Sequence, residues 1–170
     1  MKIVRIIVNA VLLVALVGMG IVASVSFFSA PNGKGLMNYK GYTVVSGSME
    51  PAISAGDFVF VKMDPFEEIQ PDDRITFQTS DHIVVTHRVK EKQSEALITK
   101  GDANQTIDGE PVTPDRLIGR VHLVIPYLGS VLLFLKRPIV VVVLAGIILI
   151  WLLLAYYFSD KNEVNTKEVE

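Results

Sequence analysis

The chain has 170 residues, of which 50% are hydrophobic, and a mean hydropathy of +0.42; that is too apolar for an ordinary soluble domain of this length and points to membrane segments. With 16 basic and 18 acidic residues and a net charge of -2 it has no polycationic surface, which argues against a nucleic-acid partner. Cysteine is absent, excluding a thiol nucleophile, a disulfide framework and thiolate-based zinc sites, and the three dispersed histidines form no H-E-x-x-H. Neither phosphate-loop nor dinucleotide glycine motifs occur, so no cofactor is expected.

Lys2 and Arg5 precede an apolar run from Ile6 to Phe28, about the length that spans a bilayer. The run reads either as a retained anchor over residues 1–30 or as a cleaved secretory leader. Its length and the lack of a clear A-x-A end favour the anchor. Cationic residues stay in the cytoplasm, so everything after Phe28 is expected on the outer face.

Ala30 to Gly35 is a turn-rich linker, and short strands separated by turn signals follow, an all-β pattern. Strands are expected at Tyr42 to Ser46, Asp57 to Lys62, Arg74 to Gln78, Ile83 to Lys90, Glu95 to Lys100 and Leu117 to Ile125. The β-rich domain is taken as residues 31–138. A second apolar block begins at Val131 and is broken at Lys136-Arg137-Pro138. Ile139 to Phe158 is uncharged and of bilayer length, with Trp151, Tyr156 and Tyr157 towards its end, and reads as a second transmembrane helix. Lys136 and Arg137 on the outer side sit uneasily with a two-span topology. The polar tail, 159–170, is expected to be cytoplasmic and disordered.

The chemistry-bearing stretch is Tyr42-Thr43-Val44-Val45-Ser46-Gly47-Ser48-Met49-Glu50-Pro51. A strand runs into Ser46-Gly47-Ser48 and Pro51 prevents further pairing, so the bend aims the Ser48 hydroxyl outward. Ser48 is then either a turn serine bonded to nearby backbone or a nucleophile. No G-x-S-x-G elbow surrounds it, which argues against an α/β-hydrolase. A serine hydroxyl needs a base. Alternation in Ile83 to Val89 puts His87 on the apolar face with Ile83, Val85 and Val89, as a structural histidine or as that base. Gly101 to Gly109 supplies two acids, Asp102 and Asp108, in turn-forming sequence; with Asn104 they also make a partial calcium loop that lacks the twelfth-position glutamate.

Four segments carry a resemblance to type I signal peptidases, in the endoplasmic-reticulum-type branch that uses Ser-His-Asp in place of a Ser-Lys dyad: Ser46 to Pro51, Thr86 to Val89, Lys100 to Asn104 with Asp108, and Ile118 to Val121 leading to Ile125 to Gly129. They occur in the family's order across residues 42 to 130. The resemblance implies Ser48 as nucleophile, His87 as base, Asp108 as triad acid and Asp102 as a second acid. Asp102-Ala103-Asn104 departs slightly from the family's Asp-Asn-Asn, and the C-terminal helix departs from the single anchor usual in this branch.

That resemblance also implies a membrane-bound endopeptidase that removes signal peptides from exported preproteins, with the bilayer and the secretion translocon as surroundings. Its substrates carry small residues at positions -3 and -1, held in shallow pockets lined by Val44, Val45 and Met49. Ser46, two residues before Ser48 in an extended segment, projects to the same side and is expected to join the Ser48 N–H in binding the oxyanion. Two other readings exist: a membrane-anchored β-domain that binds or scaffolds exported proteins, and a self-cleaving repressor fold, against which the two apolar helices argue.

Overall fold

The computed structural model describes residues 35–167 and scattered positions between residues 9 and 24, all of the latter helical. The chain divides into two compact units, Met19–Leu133 and the terminal segments Met1–Gly18 with Phe134–Glu170. The first contains one fully antiparallel sheet of six strands: β1 (Tyr39–Thr43), β2 (Phe58–Lys62), β3 (Arg74–Gln78), β4 (Val84–Lys92), β5 (Leu97–Lys100) and β6 (Leu117–Ile125). Their order in space is β1-β2-β6-β3-β4-β5. The last strand in sequence thus lies between the first and second hairpins and joins them.

Valine, isoleucine and phenylalanine dominate these strands and bury on the pleated faces. Met49, Ile53, Val59, Val61 and Val121 make one core cluster; Phe66, Ile69, Ile75, Phe77, Val89, Leu97 and Val112 make the other. Each such side chain removed from water contributes roughly 1.5–3 kcal/mol. Polar positions that go inside are matched: Thr76 on β3 is opposite Thr86 on β4, and their hydroxyls bond at 2.8 Å. Asp64, beside the end of β2, is buried, and burial alone would raise its carboxyl; hydrogen bonds from Lys62 and Arg120 outweigh that and hold it below the usual aspartate value.

β3 and β6 have the expected bounds. The first strand does not: it runs from Tyr39 to Thr43 and ends before Val44-Val45-Ser46. Glycine ordinarily weakens a strand, yet Gly41 sits in this one because the Phe58 ring lies where a Cβ would stand. Val44 exchanges backbone bonds with Gly56 and Asp57, after which Val45 leaves the sheet. β4 is shifted, starting after Ile83, which is 60% exposed, and continuing to Lys92. β5 begins only at Leu97 because Gln93 and Ala96 close the hairpin turn.

After β6 come α1 (Leu128–Leu135) and α2 (Pro138–Lys167). The tail expected to be disordered therefore continues a helix to Lys167. Among the described residues no single helix is long and apolar enough to cross a membrane, although α1 and the apolar part of α2, to Leu154, qualify together as a bent pair. The expected N-terminal span, Ile6 to Phe28, lies largely outside the described residues.

Candidate active site

Ser48 and Asp108 come from two different connections of the sheet, β1–β2 and β5–β6, and His87 from strand β4. Ser48 lies in a turn between β1 and β2, held from below because Met49 and Ile53, each 1% exposed, plug into the core and Ile53 N–H donates to Met49 O at 2.9 Å. From the side, Ala103 N–H donates to Ser48 O at 2.9 Å. That approach requires Gly101, where a Cβ would stand 2.6 Å from Ser48 O. With its backbone fixed on both sides, the turn leaves the Ser48 side chain half-buried and facing β4.

His87 stands on β4 with 8% of its surface exposed, its ring edge-on to Phe77 at 6.2 Å between centroids. Nε2 is 3.2 Å from Ser48 Oγ, and Nδ1 is 2.6 Å from Asp108 Oδ2. A neutral imidazole protonated on Nδ1 satisfies both contacts: it donates to the carboxylate and turns the Nε2 lone pair towards the hydroxyl. Asp108 is fixed in turn. Its N–H donates to Thr99 O at 2.8 Å, and the Thr99 hydroxyl donates to the same Oδ2 at 2.6 Å. Thr99 is fully buried on β5 and nothing in the local sequence signals this role; only the β4–β5 pairing brings its face next to His87.

The remaining candidates separate. Ser46 Oγ is 3.3 Å from Ser48 Oγ, so the two hydroxyls do share a side. Val44 packs partly into the core and Val45 is 78% exposed. Met49 is a core residue, 1% exposed, and anchors the turn that presents Ser48. His82 stands in an exposed turn at φ 61°, and His122 packs edge-on to Tyr39. No cluster of three or more histidine, aspartate or glutamate side chains suited to a metal is present among the described residues.

Asp102, the second acid of the resemblance, stands apart from the triad. Its carboxylate accepts two bonds from Arg88, Nε to Oδ1 at 2.8 Å and Nη2 to Oδ2 at 2.7 Å. Arg88, on the β4 face opposite His87, reaches on to Asp72 O at 2.9 Å. These bonds hold the Asp102 carboxyl below the usual aspartate value and raise the Arg88 guanidinium. A depressed native value means stability that is full above the unfolded-state value, about 3.9, and is lost as pH falls through the native one. Asp102→Asn should therefore cost about 1.5–3 kcal/mol at neutral pH. The difference from wild type should shrink below about pH 4, as chemical denaturation at pH 7 and pH 3 will measure. An equal cost at both would remove the ion pair as its cause.

A serine whose hydroxyl meets an imidazole oriented by a half-buried carboxylate can carry out acyl transfer, with the imidazole moving one proton from nucleophile to leaving group.

No family model matches the chain. Over 85 residues it is 40% identical to signal peptidase I W of Bacillus subtilis, covering 45% of each protein. Over 107 residues it is 36% identical to the signal peptidase complex catalytic subunit SEC11 of Colletotrichum graminicola, covering 55% of this chain and 62% of that protein. The SEC11 subunit of Verticillium alfalfae is 32% identical over 118 residues, 61% of this chain and 69% of its own length. The matches thus span from under half to about two thirds of these curated relatives.

Proposed function

Because the chain belongs to the type I signal peptidase family, in its endoplasmic-reticulum-type branch, we propose that it is a membrane-bound serine endopeptidase that removes signal peptides from exported preproteins. The observation that supports this reading most is the continuous chain Ser48 Oγ, His87 Nε2, His87 Nδ1, Asp108 Oδ2. His87 takes the Ser48 proton as Ser48 attacks the carbonyl before the scissile bond, then gives it to the departing amine; water releases the acyl group by the same route. Asp108 orients the imidazole and stabilises its charged form, and Thr99 holds Asp108. The Ser48 N–H and the Ser46 hydroxyl bind the oxyanion.

The signal peptide lies extended beside Val44 and Val45, where main-chain pairing supplies affinity and limited space favours small residues at -3 and -1. The catalytic unit works on the extracytoplasmic face, residues 31–138, between an N-terminal anchor over 1–30 and a second span over 139–158, close to the secretion translocon. The experiment uses the full chain in detergent and a peptidyl phosphonate with alanine at the first and third positions before phosphorus. One adduct is expected, mapped by mass spectrometry to the Ser48 peptide and lost in His87→Ala. No adduct would return the chain to a binding role, and an adduct on another serine would move the nucleophile away from Ser48.

A further inference from the structure

Thr99 is a polar residue in an apolar place. On β5 it is paired directly opposite Val89 of β4, two positions from His87, so it shares the face that carries the imidazole. Val89, Leu97 and Val112 on that side are fully buried members of one core cluster, and Thr99 is as deeply buried as they are. A valine would fill the position equally well in shape, and a buried hydroxyl is costly unless it is bonded. Its bond goes to Asp108 Oδ2 at 2.6 Å, the same oxygen that accepts from His87 Nδ1 at 2.6 Å. Open space adjoins this carboxylate: His87 and Asp108 both stand in the wall of a cavity of about 320 Å³, and the Asp108 side chain is 20% exposed.

We propose that Thr99 is a positioning residue for turnover: its hydroxyl keeps the Asp108 carboxylate turned to His87 and out of the neighbouring cavity. The inference rests on the peptidase reading and deepens it. Held by His87 alone, the carboxylate is free to turn about its last side-chain bond towards the cavity and its water, and the imidazole loses its fixed orientation with it. Two donors converging on one oxygen leave a single orientation, which keeps Nδ1–H on the carboxylate and the Nε2 lone pair on Ser48. The hydroxyl is not needed to hold the chain. Asp108 N–H donates to Thr99 O at 2.8 Å, a backbone bond that survives any side-chain change at position 99 other than one that moves the strand. Removing the hydroxyl therefore loosens the carboxylate and leaves the loop that carries it in place.

The test is cleavage of a preprotein with alanine at -3 and -1 by full-length Thr99 variants in detergent, beside their thermal denaturation. Thr99→Val keeps the side-chain shape, and the half-buried Asp108 oxygen reaches water in place of the hydroxyl, so its Tm should stay close to that of the wild type. Its kcat should fall by about 10- to 100-fold with KM unchanged, the scale of loss when a reacting group is misplaced by about an ångström. Thr99→Ser, which keeps the hydroxyl, should restore most of that turnover. In an Asp108→Ala background Thr99→Val should have no further effect on the residual rate, because the hydroxyl acts through that carboxylate. Should Thr99→Val fail to fold, Thr99→Ser against Thr99→Ala makes the same comparison. Wild-type kcat in Thr99→Val, a loss confined to KM, no rescue by serine, or an undiminished loss beside Asp108→Ala would overturn the proposal while leaving the peptidase reading standing. A wild-type chain that does not cleave the preprotein would sink that reading and this inference with it.

Discussion

Ser48→Ala is expected to leave the protein folded and to lower preprotein cleavage by about 10⁶-fold, the loss seen when a serine protease loses its nucleophile. The fold should survive because the hydroxyl contributes nothing to the turn: its contacts are Ser46 Oγ and His87 Nε2, while the backbone is held by Met49, Ile53 and Ala103. An unchanged Tm beside lost turnover is the expected pair of observations. Ser46 is the serine that could compete, being 3.3 Å from Ser48 Oγ. It has no hydrogen bond to His87 among the described residues, so it cannot hand over a proton in the same way. Turnover surviving in Ser48→Ala and vanishing in Ser46→Ala would exchange their roles.

Asp108→Asn should cost about 10⁴-fold in kcat with little change in KM. Asp108 Oδ2 accepts two hydrogen bonds, from His87 Nδ1 at 2.6 Å and from Thr99 Oγ1 at 2.6 Å. If the amide nitrogen takes that position, two donors face a third and His87 must turn or change tautomer, presenting an N–H to Ser48. If the amide oxygen takes it, the hydrogen bonds persist but the negative charge that stabilises imidazolium is gone. Either way proton transfer suffers and substrate binding does not. The Asp108 N–H still reaches Thr99 O, so the loop should keep its place. A loss below tenfold, or one confined to KM, would show that the carboxylate is not part of the proton path.

Much of this site is legible in the sequence because its parts obey local rules. Period-two alternation puts His87 on the inner face of β4 with Val85 and Val89, and Pro51 and the Ser-Gly-Ser run mark the turn that carries Ser48. Pairing across strands is where the sequence falls silent. Thr99 is one more β-branched residue in a strand until the β4–β5 register brings it beside the loop that carries Asp108. Asp102 reads as a turn aspartate because Gly-Asp usually is one. The partner that changes its role, Arg88, is 14 positions away on β4.

Met49 teaches the converse lesson. Position next to a nucleophile suggests a pocket wall, but a methionine that follows an exposed serine in a turn is also the natural plug for the core beneath, and burial at 1% exposure decides between them. Gly41 likewise hides the start of β1, since no local rule reveals that an aromatic ring from the neighbouring strand will cover it. Fold class and the placing of Ser48 and His87 thus follow from short-range pattern, the choice of Asp108 over Asp102 from the family resemblance alone, and the supporting contacts from topology.

The most direct measurement is the mass of the mature chain released when the full-length protein, in detergent, meets a preprotein with alanine at -3 and -1. The account predicts one product, cut after the -1 alanine by the wild-type chain and absent with Ser48→Ala. No cleavage by the wild-type chain, or the same product from Ser48→Ala, would contradict it.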